Sequence, residues 1–177
     1  MTPDKVYLVG FMACGKSTLA RALAQRLGWG VEDIDDLIEA RERKTIADIF
    51  AAQGEPYFRG LEREMLRLVQ PMRHVVVATG GGTFADPDNR ALINLDGLSI
   101  WIDVPLDALI PRIPLDGRRP LAATRADLER LYAARVDTYR LAHVRIAPGG
   151  APVEAVIDEL LDAVTQPPRV VPGGPVT

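Results

Sequence analysis

The stretch "GFMACGKST" at residues 10–18 follows directly on the apolar run "VYLV" and leads into a segment where Leu19, Leu23 and Leu27 recur, with Ala20 and Ala24 between them. It fits G-x-x-x-x-G-K-[ST] at Gly10, Gly15, Lys16 and Ser17, between an expected strand and an expected helix. Glycines let the backbone curl so that successive N–H groups face one anion, and the positive end of the helix dipole adds to that field. The turn therefore suits phosphate. Lys16 would reach the β- and γ-phosphates and the Ser17 hydroxyl would ligate Mg²⁺. Ala13, Cys14 and Thr18 fall inside the same phosphate loop, where Cys14 reads as a small tucked-in residue and not as a nucleophile.

The rest of the chain carries the same alternation. Five β-branched runs, at 5–10, 29–33, 74–79, 98–104 and 143–147, are separated by segments of helical period. Besides the helix that opens in "GKST" and ends at Gly28, helical patterns cover 35–43, 45–53, 57–70, 86–95, 105–112, 124–140 and 151–164. Such alternation implies an α/β fold with a parallel sheet and helices on both faces. With 177 residues, the chain is long enough for one domain, expected over 1–166. The segment 167–177 is rich in Pro and Gly, lacks periodicity and is expected to fray.

Composition narrows the partner. A formal net charge of −3 argues against a general nucleic-acid or membrane-surface binder and leaves a small molecule. Cys14 is the single cysteine and His74 and His143 the only histidines, so any metal should be a hard ion held by oxygen. No apolar stretch approaches the roughly 18 residues of a membrane span, and the N-terminus lacks the pattern of a secretory leader, so a cytosolic protein is expected.

Two further clusters fall at strand ends, the edge where open α/β sheets bind ligands. "EDIDDLIE" puts Asp33, Asp35 and Asp36 after the second strand. One carboxylate could hold Mg²⁺ through its water shell and another could accept a proton from a substrate hydroxyl, while Asp is also a good helix N-cap. "ATGGGT" puts Gly80, Gly81 and Gly82 after the third strand, which calls for either a close approach to the backbone or positive φ. Arg59, Arg119 and Arg135 fall where a bound anion could use them, since guanidinium grips carboxylate and phosphate alike. Residues 111–123, "PRIPLDGRRPLAA", suit a mobile lid over phosphates.

In combination these residues resemble the shikimate kinases, small members of the nucleoside-monophosphate-kinase branch of P-loop proteins. The similarity runs from about residue 5 to about residue 163 and rests on "GFMACGKST", "D-I-D" at 33–35, "TIADIF" at 45–50, "G-E-x-x-FR-x-LE" at 54–62, "TGGG" at 79–82, "RPL" at 119–121 and the pair Arg135 and Tyr139. The resemblance implies a three-layer P-loop kinase fold, its five-stranded parallel sheet in the order 2-3-1-4-5, and transfer of the ATP γ-phosphoryl group to the 3-hydroxyl of shikimate; a monomer is expected. Carried over, Lys16 and Ser17 serve the phosphates and Mg²⁺, Asp33 supports the metal's water shell, and Asp35 holds the accepting hydroxyl as candidate base. Arg59 and Arg135 would bind the shikimate carboxylate, Glu62 would orient Arg59, Gly80 to Gly82 would line the ring, and Arg119 would come down with the lid onto the phosphates. The chain departs from the family at Ala13, where glycine is usual, at Gly60 inside "FRGLE", and at Asp137–Thr138–Tyr139, where Pro-Leu-Tyr is usual. Two other readings remain compatible with these residue types: a kinase for gluconate or another hydroxylated carboxylate, and a non-catalytic ATP-binding partner protein.

Overall fold

Strand β1, Lys5–Val9, is buried along its whole length, with parallel neighbours on both sides. Its apolar run has no polar alternation because helices cover both faces of the sheet. This computed structural model describes residues 3–113 and 124–166. The other strands are β2 (Gly30–Asp33), β3 (Val75–Ala78), β4 (Leu98–Ile102) and β5 (Val144–Ile146). Their order is β2-β3-β1-β4-β5, all pairings parallel, as the family resemblance implied. Chain order reverses at β1, so the C-terminal ends of β1 and β3 border the crevice where doubly wound sheets take their ligands.

Helix α1 (Lys16–Leu27) buries Leu19, Ala20, Leu23 and Ala24 against the sheet and ends at Gly28 with φ 68°. The short α2 (Ile34–Glu42) starts at once after β2, its first turn capped by the Asp33 side chain. The patterns at 45–53 and 57–70 are expected as two helices. They form one assigned element, α3 (Ile46–Val69), with a sharp kink at Gly54, where φ is 79° and ψ 174°. Glycine tolerates that conformation, and Pro56 just beyond it supplies no N–H to a regular helix. Helix α4 (Pro87–Asp96) opens with Pro87 in its first turn, and the Asp86 carboxylate accepts from the N–H groups of Asp88 and Asn89. The pattern at 105–112 yields only α5 (Leu106–Leu109) and a 3₁₀ turn at Ile110–Arg112, because Pro111 interrupts the donors. A reciprocal Thr124–Asp127 capping box starts α6 (Arg125–Tyr139), and α7 (Val153–Thr165) buries Val156, Ile157, Leu160 and Val164. Among the described residues no helix is long and apolar enough to cross a membrane.

At the N-terminal end of β1, remote from the ligand crevice, Lys5 is fully buried. Its ammonium donates to the Val69 and Gln70 carbonyls at 3.0 and 2.7 Å and to Asp96 Oδ2 at 2.7 Å, while the Tyr7 hydroxyl donates to the same oxygen at 2.5 Å. The cation thus answers both the carbonyls at the C-terminal end of α3 and the carboxylate at the end of α4. Burial, with Asp96 beside it, pushes the Tyr7 phenol well above its ordinary value.

Candidate active site

The phosphate loop takes the shape its glycines allow. Gly10 has φ 142°, and a Cβ there would stand 2.8 Å from the Ile102 carbonyl; Gly15, at φ 96°, is the N-cap of α1. Ala13 holds φ 61°, a left-handed conformation in which alanine is strained and glycine is not. At that position the family resemblance leads one to expect glycine. Lys16 is buried, and its ammonium donates to the carbonyls of Gly10 at 2.9 Å and Phe11 at 2.7 Å and to Cys14 Sγ at 3.6 Å. It therefore spans the loop from within and holds its curl. Cys14 is itself buried, as expected of a tucked-in residue.

The acidic turn resolves two readings into one. Asp33 Oδ1 accepts from the Asp35 N–H at 3.0 Å, which caps α2, and Oδ2 accepts from the Ser17 hydroxyl at 2.5 Å. Helix capping and contact with the phosphate loop are thus two faces of one carboxylate. Asp36 points away, exposed and paired with Arg21 at 3.2 Å. Phosphate loop, acidic turn and triple glycine meet around a cavity of about 230 Å³ lined by Met12, Ala13, Gly15, Lys16, Ser17, Thr18, Asp33, Asp35, Thr79 and Gly81.

None of Gly80, Gly81 and Gly82 has positive φ, so of the two reasons for a glycine run only close approach applies. A Cβ on Gly80 would stand 2.8 Å from Glu62 Oε1 and 2.9 Å from both Asp35 Oδ1 and Thr83 Oγ1. One on Gly81 would lie 3.2 Å from the Met12 N, and one on Gly82 would lie 2.6 and 2.7 Å from the Arg59 Nη atoms and 2.9 Å from Arg135 Nη2. Any side chain there would push the functional groups aside.

Arg59, on α3, donates to Glu62 Oε2 at 2.5 Å and to Glu55 Oε1 at 3.0 and 3.1 Å. Glu62 is fully buried, and its other oxygen accepts from the Thr83 hydroxyl at 2.6 Å. Arg135, on α6, is 7% exposed. Burial lowers its hold on its proton, and the Arg59 charge acts in the same direction. For Arg59 burial works the same way, but Glu62 and Glu55 outweigh it and hold the guanidinium above its ordinary value. Two guanidinium groups share one recess, a setting that favours an added carboxylate. Tyr139, one turn beyond Arg135, donates its hydroxyl to the Gly81 carbonyl, and burial raises its pKa.

The structure thus brings together Gly10, Ala13, Cys14, Gly15, Lys16, Ser17, Thr18, Asp33, Asp35, Arg59, Gly80, Gly81, Gly82 and Arg135 at one edge of the sheet. Arg119 and most of the expected lid at 111–123 lie outside the described residues. Asp137 does not compete for Arg135: it is exposed and pairs with Arg140. Sequence reasoning passed over Thr83 and Glu55 as functional residues, although Thr83 closes the quoted "ATGGGT" and Glu55 stands one turn before Arg59.

A family model for shikimate kinase matches residues 12–165. The chain is 39% identical over 160 residues to the shikimate kinase of Persephonella marina, covering 90% of this chain and 98% of that one. It is 42% identical over 164 residues to the enzyme of Thermosynechococcus vestitus, covering 90% and 88%. Shikimate kinase from Acinetobacter baumannii, solved in complex with shikimate, superposes with TM-score 0.87 at 30% identity over 92% of this chain and 93% of that one. A deoxyadenosine kinase from M. mycoides with bound dATP, at 14% identity and TM-score 0.61, shares the fold alone. A phosphate loop, an acidic turn and a paired-arginine recess on this sheet, matched along nearly the whole chain, show that the protein belongs to the shikimate kinase family.

Proposed function

We propose that the protein transfers the γ-phosphoryl group of ATP to the 3-hydroxyl of shikimate, giving shikimate 3-phosphate and ADP. The observation that carries this reading is the approach of Arg59 and Arg135 to one glycine, Gly82, while Asp35 lies against Gly80 at the cavity beside Lys16 and Ser17. A ligand whose carboxylate meets the arginines presents its ring to the triple glycine and a hydroxyl toward Asp35. Asp35 accepts that hydroxyl's hydrogen bond, orients the oxygen and takes its proton as the P–O bond forms. Phosphoryl transfer needs mainly positioning and charge neutralisation, which Lys16 and the loop N–H groups supply to the phosphates. By resemblance, Arg119 is assigned to the same phosphates.

The donor set fits a hard divalent cation. Ser17 Oγ and Asp33 Oδ2, 2.5 Å apart at the cavity wall, are oxygen ligands of the kind Mg²⁺ takes. Ser17 would hold the ion directly and Asp33 through its water shell; bound there with ATP, Mg²⁺ would neutralise charge on the phosphate oxygens. We also assign the catalytic unit to a monomer of one domain spanning 1–166, with a small-molecule acceptor and a cytosolic setting. ADP release with Mg²⁺ and ATP, compared among shikimate, quinate, gluconate and no acceptor, tests the reading. Release that depends on shikimate supports it, whereas release with gluconate alone, or equal release without acceptor, overturns the acceptor assignment.

A further inference from the structure

We infer that Thr83 is a positioning residue for acceptor binding, acting through Glu62 on Arg59. The inference rests on the acceptor reading given above. Thr83 stands in the 3₁₀ turn Thr83–Ala85 directly after the triple glycine, and its side chain is fully buried. A threonine hydroxyl has one proton to give. Here it goes to Glu62 Oε1 at 2.6 Å, leaving Oε2 for Arg59 Nη1 at 2.5 Å.

That arrangement fixes a carboxylate at both oxygens. Glu62 is fully buried, and a buried ion is costly unless each lone pair finds a donor. Arg59 lies partly open, with its second partner, Glu55, on the exposed side. Without the Thr83 donor, Glu62 can turn so that both oxygens meet Arg59, drawing the guanidinium away from the recess it shares with Arg135. Gly80 leaves the room for this bond: a Cβ there would collide with Glu62 Oε1 and Thr83 Oγ1 together. The hydroxyl thus links the triple-glycine turn to the arginine on α3, while the phosphate loop takes no part. A defect at Thr83 should therefore appear in acceptor binding and spare the nucleotide.

The test is steady-state kinetics of the full chain with Thr83→Val, which keeps shape and removes the hydroxyl, and Thr83→Ser, which keeps the hydroxyl. Thr83→Val should raise the KM for shikimate on the order of ten-fold, the loss expected of one hydrogen bond to a charged group. Its KM for ATP and kcat should stay within about two-fold, and Thr83→Ser should restore the shikimate KM. In a Glu62→Gln background, Thr83→Val should add little further loss, because the two residues act in series. An unchanged shikimate KM in Thr83→Val overturns the inference, as does an equal defect in Thr83→Ser or an equal rise in both KM values. If Thr83→Val does not fold, Thr83→Ala is read by the same criteria. Wild type assayed in parallel separates the two levels: no shikimate turnover there defeats the acceptor reading itself.

Discussion

Arg59 and Arg135, 76 positions apart in sequence and on different helices, meet at a single glycine: a Cβ on Gly82 would stand 2.6 Å from Arg59 Nη1 and 2.9 Å from Arg135 Nη2. Gly82→Ala should therefore spread the two guanidinium groups and weaken carboxylate binding. A displacement on the scale of 1 Å can cost about a hundred-fold at such a site, so the KM for shikimate should rise by at least about ten-fold. The KM for ATP should remain near its original value, because Lys16 and Ser17 are held by hydrogen bonds to the Gly10 and Phe11 carbonyls and to Asp33, not by either arginine. Initial-rate kinetics with each substrate varied separately checks both parts.

Asp35→Asn keeps the shape of the side chain and removes its ability to take a proton. Turnover should fall by about 10²- to 10⁴-fold, the range ascribed to general acid–base catalysis, with ATP affinity little changed. Rapid-quench measurement of product in one turnover, alongside nucleotide titration, separates chemistry from binding. Near-normal turnover would remove Asp35 from its assigned role.

Two positions carry local cost that function does not require. Ala13→Gly should relieve the strain of φ 61° and stabilise the protein by about 0.5–1 kcal/mol. Gly60 lies within α3, and a Cβ added there meets nothing within 4 Å. Gly60→Ala should add about 1 kcal/mol through helix propensity alone. Urea unfolding measures both, and turnover should survive in each variant.

Stability should depend on pH through His143. Its Nδ1 accepts the Ser99 N–H at 3.2 Å, so the neutral ring carries its proton on Nε2, and burial lowers its pKa from the ordinary histidine value. The unfolded chain takes up a proton near pH 6.5, the folded chain only at lower pH. The His143 contribution is therefore complete above about pH 6.5 and is lost as pH falls below it. Thermal unfolding between pH 7.5 and 5 should show a steeper loss of Tm for wild type than for His143→Gln, in which that titration is absent.

Where local chemistry decided structure, the sequence was readable in advance. The apolar β1, the glycine-bounded α1 and the aspartates after β2 each carry their signal within a few residues, and the α/β layers follow from their alternation. The order of the strands came from family resemblance, since periodicity does not say which neighbour a strand chooses. The kink at Gly54 was harder to read because a glycine and a proline two residues apart can equally end a helix or bend it. The arginines illustrate the same limit. Their residue types suggested anion binding, but which of them share a recess depends on contacts between α3, α6 and the triple-glycine turn. Thr83 was missed for that reason: its partner, Glu62, is 21 residues away on another element.

The central claim, transfer to one particular hydroxyl of shikimate, is tested most directly by ³¹P NMR of the product formed from ATP, Mg²⁺ and shikimate, with ³¹P–¹H correlation to the ring protons. The account predicts a single phosphomonoester signal correlated with the proton on C3, together with equal ADP. A phosphate on another ring carbon, or ADP accompanied only by inorganic phosphate, would contradict it.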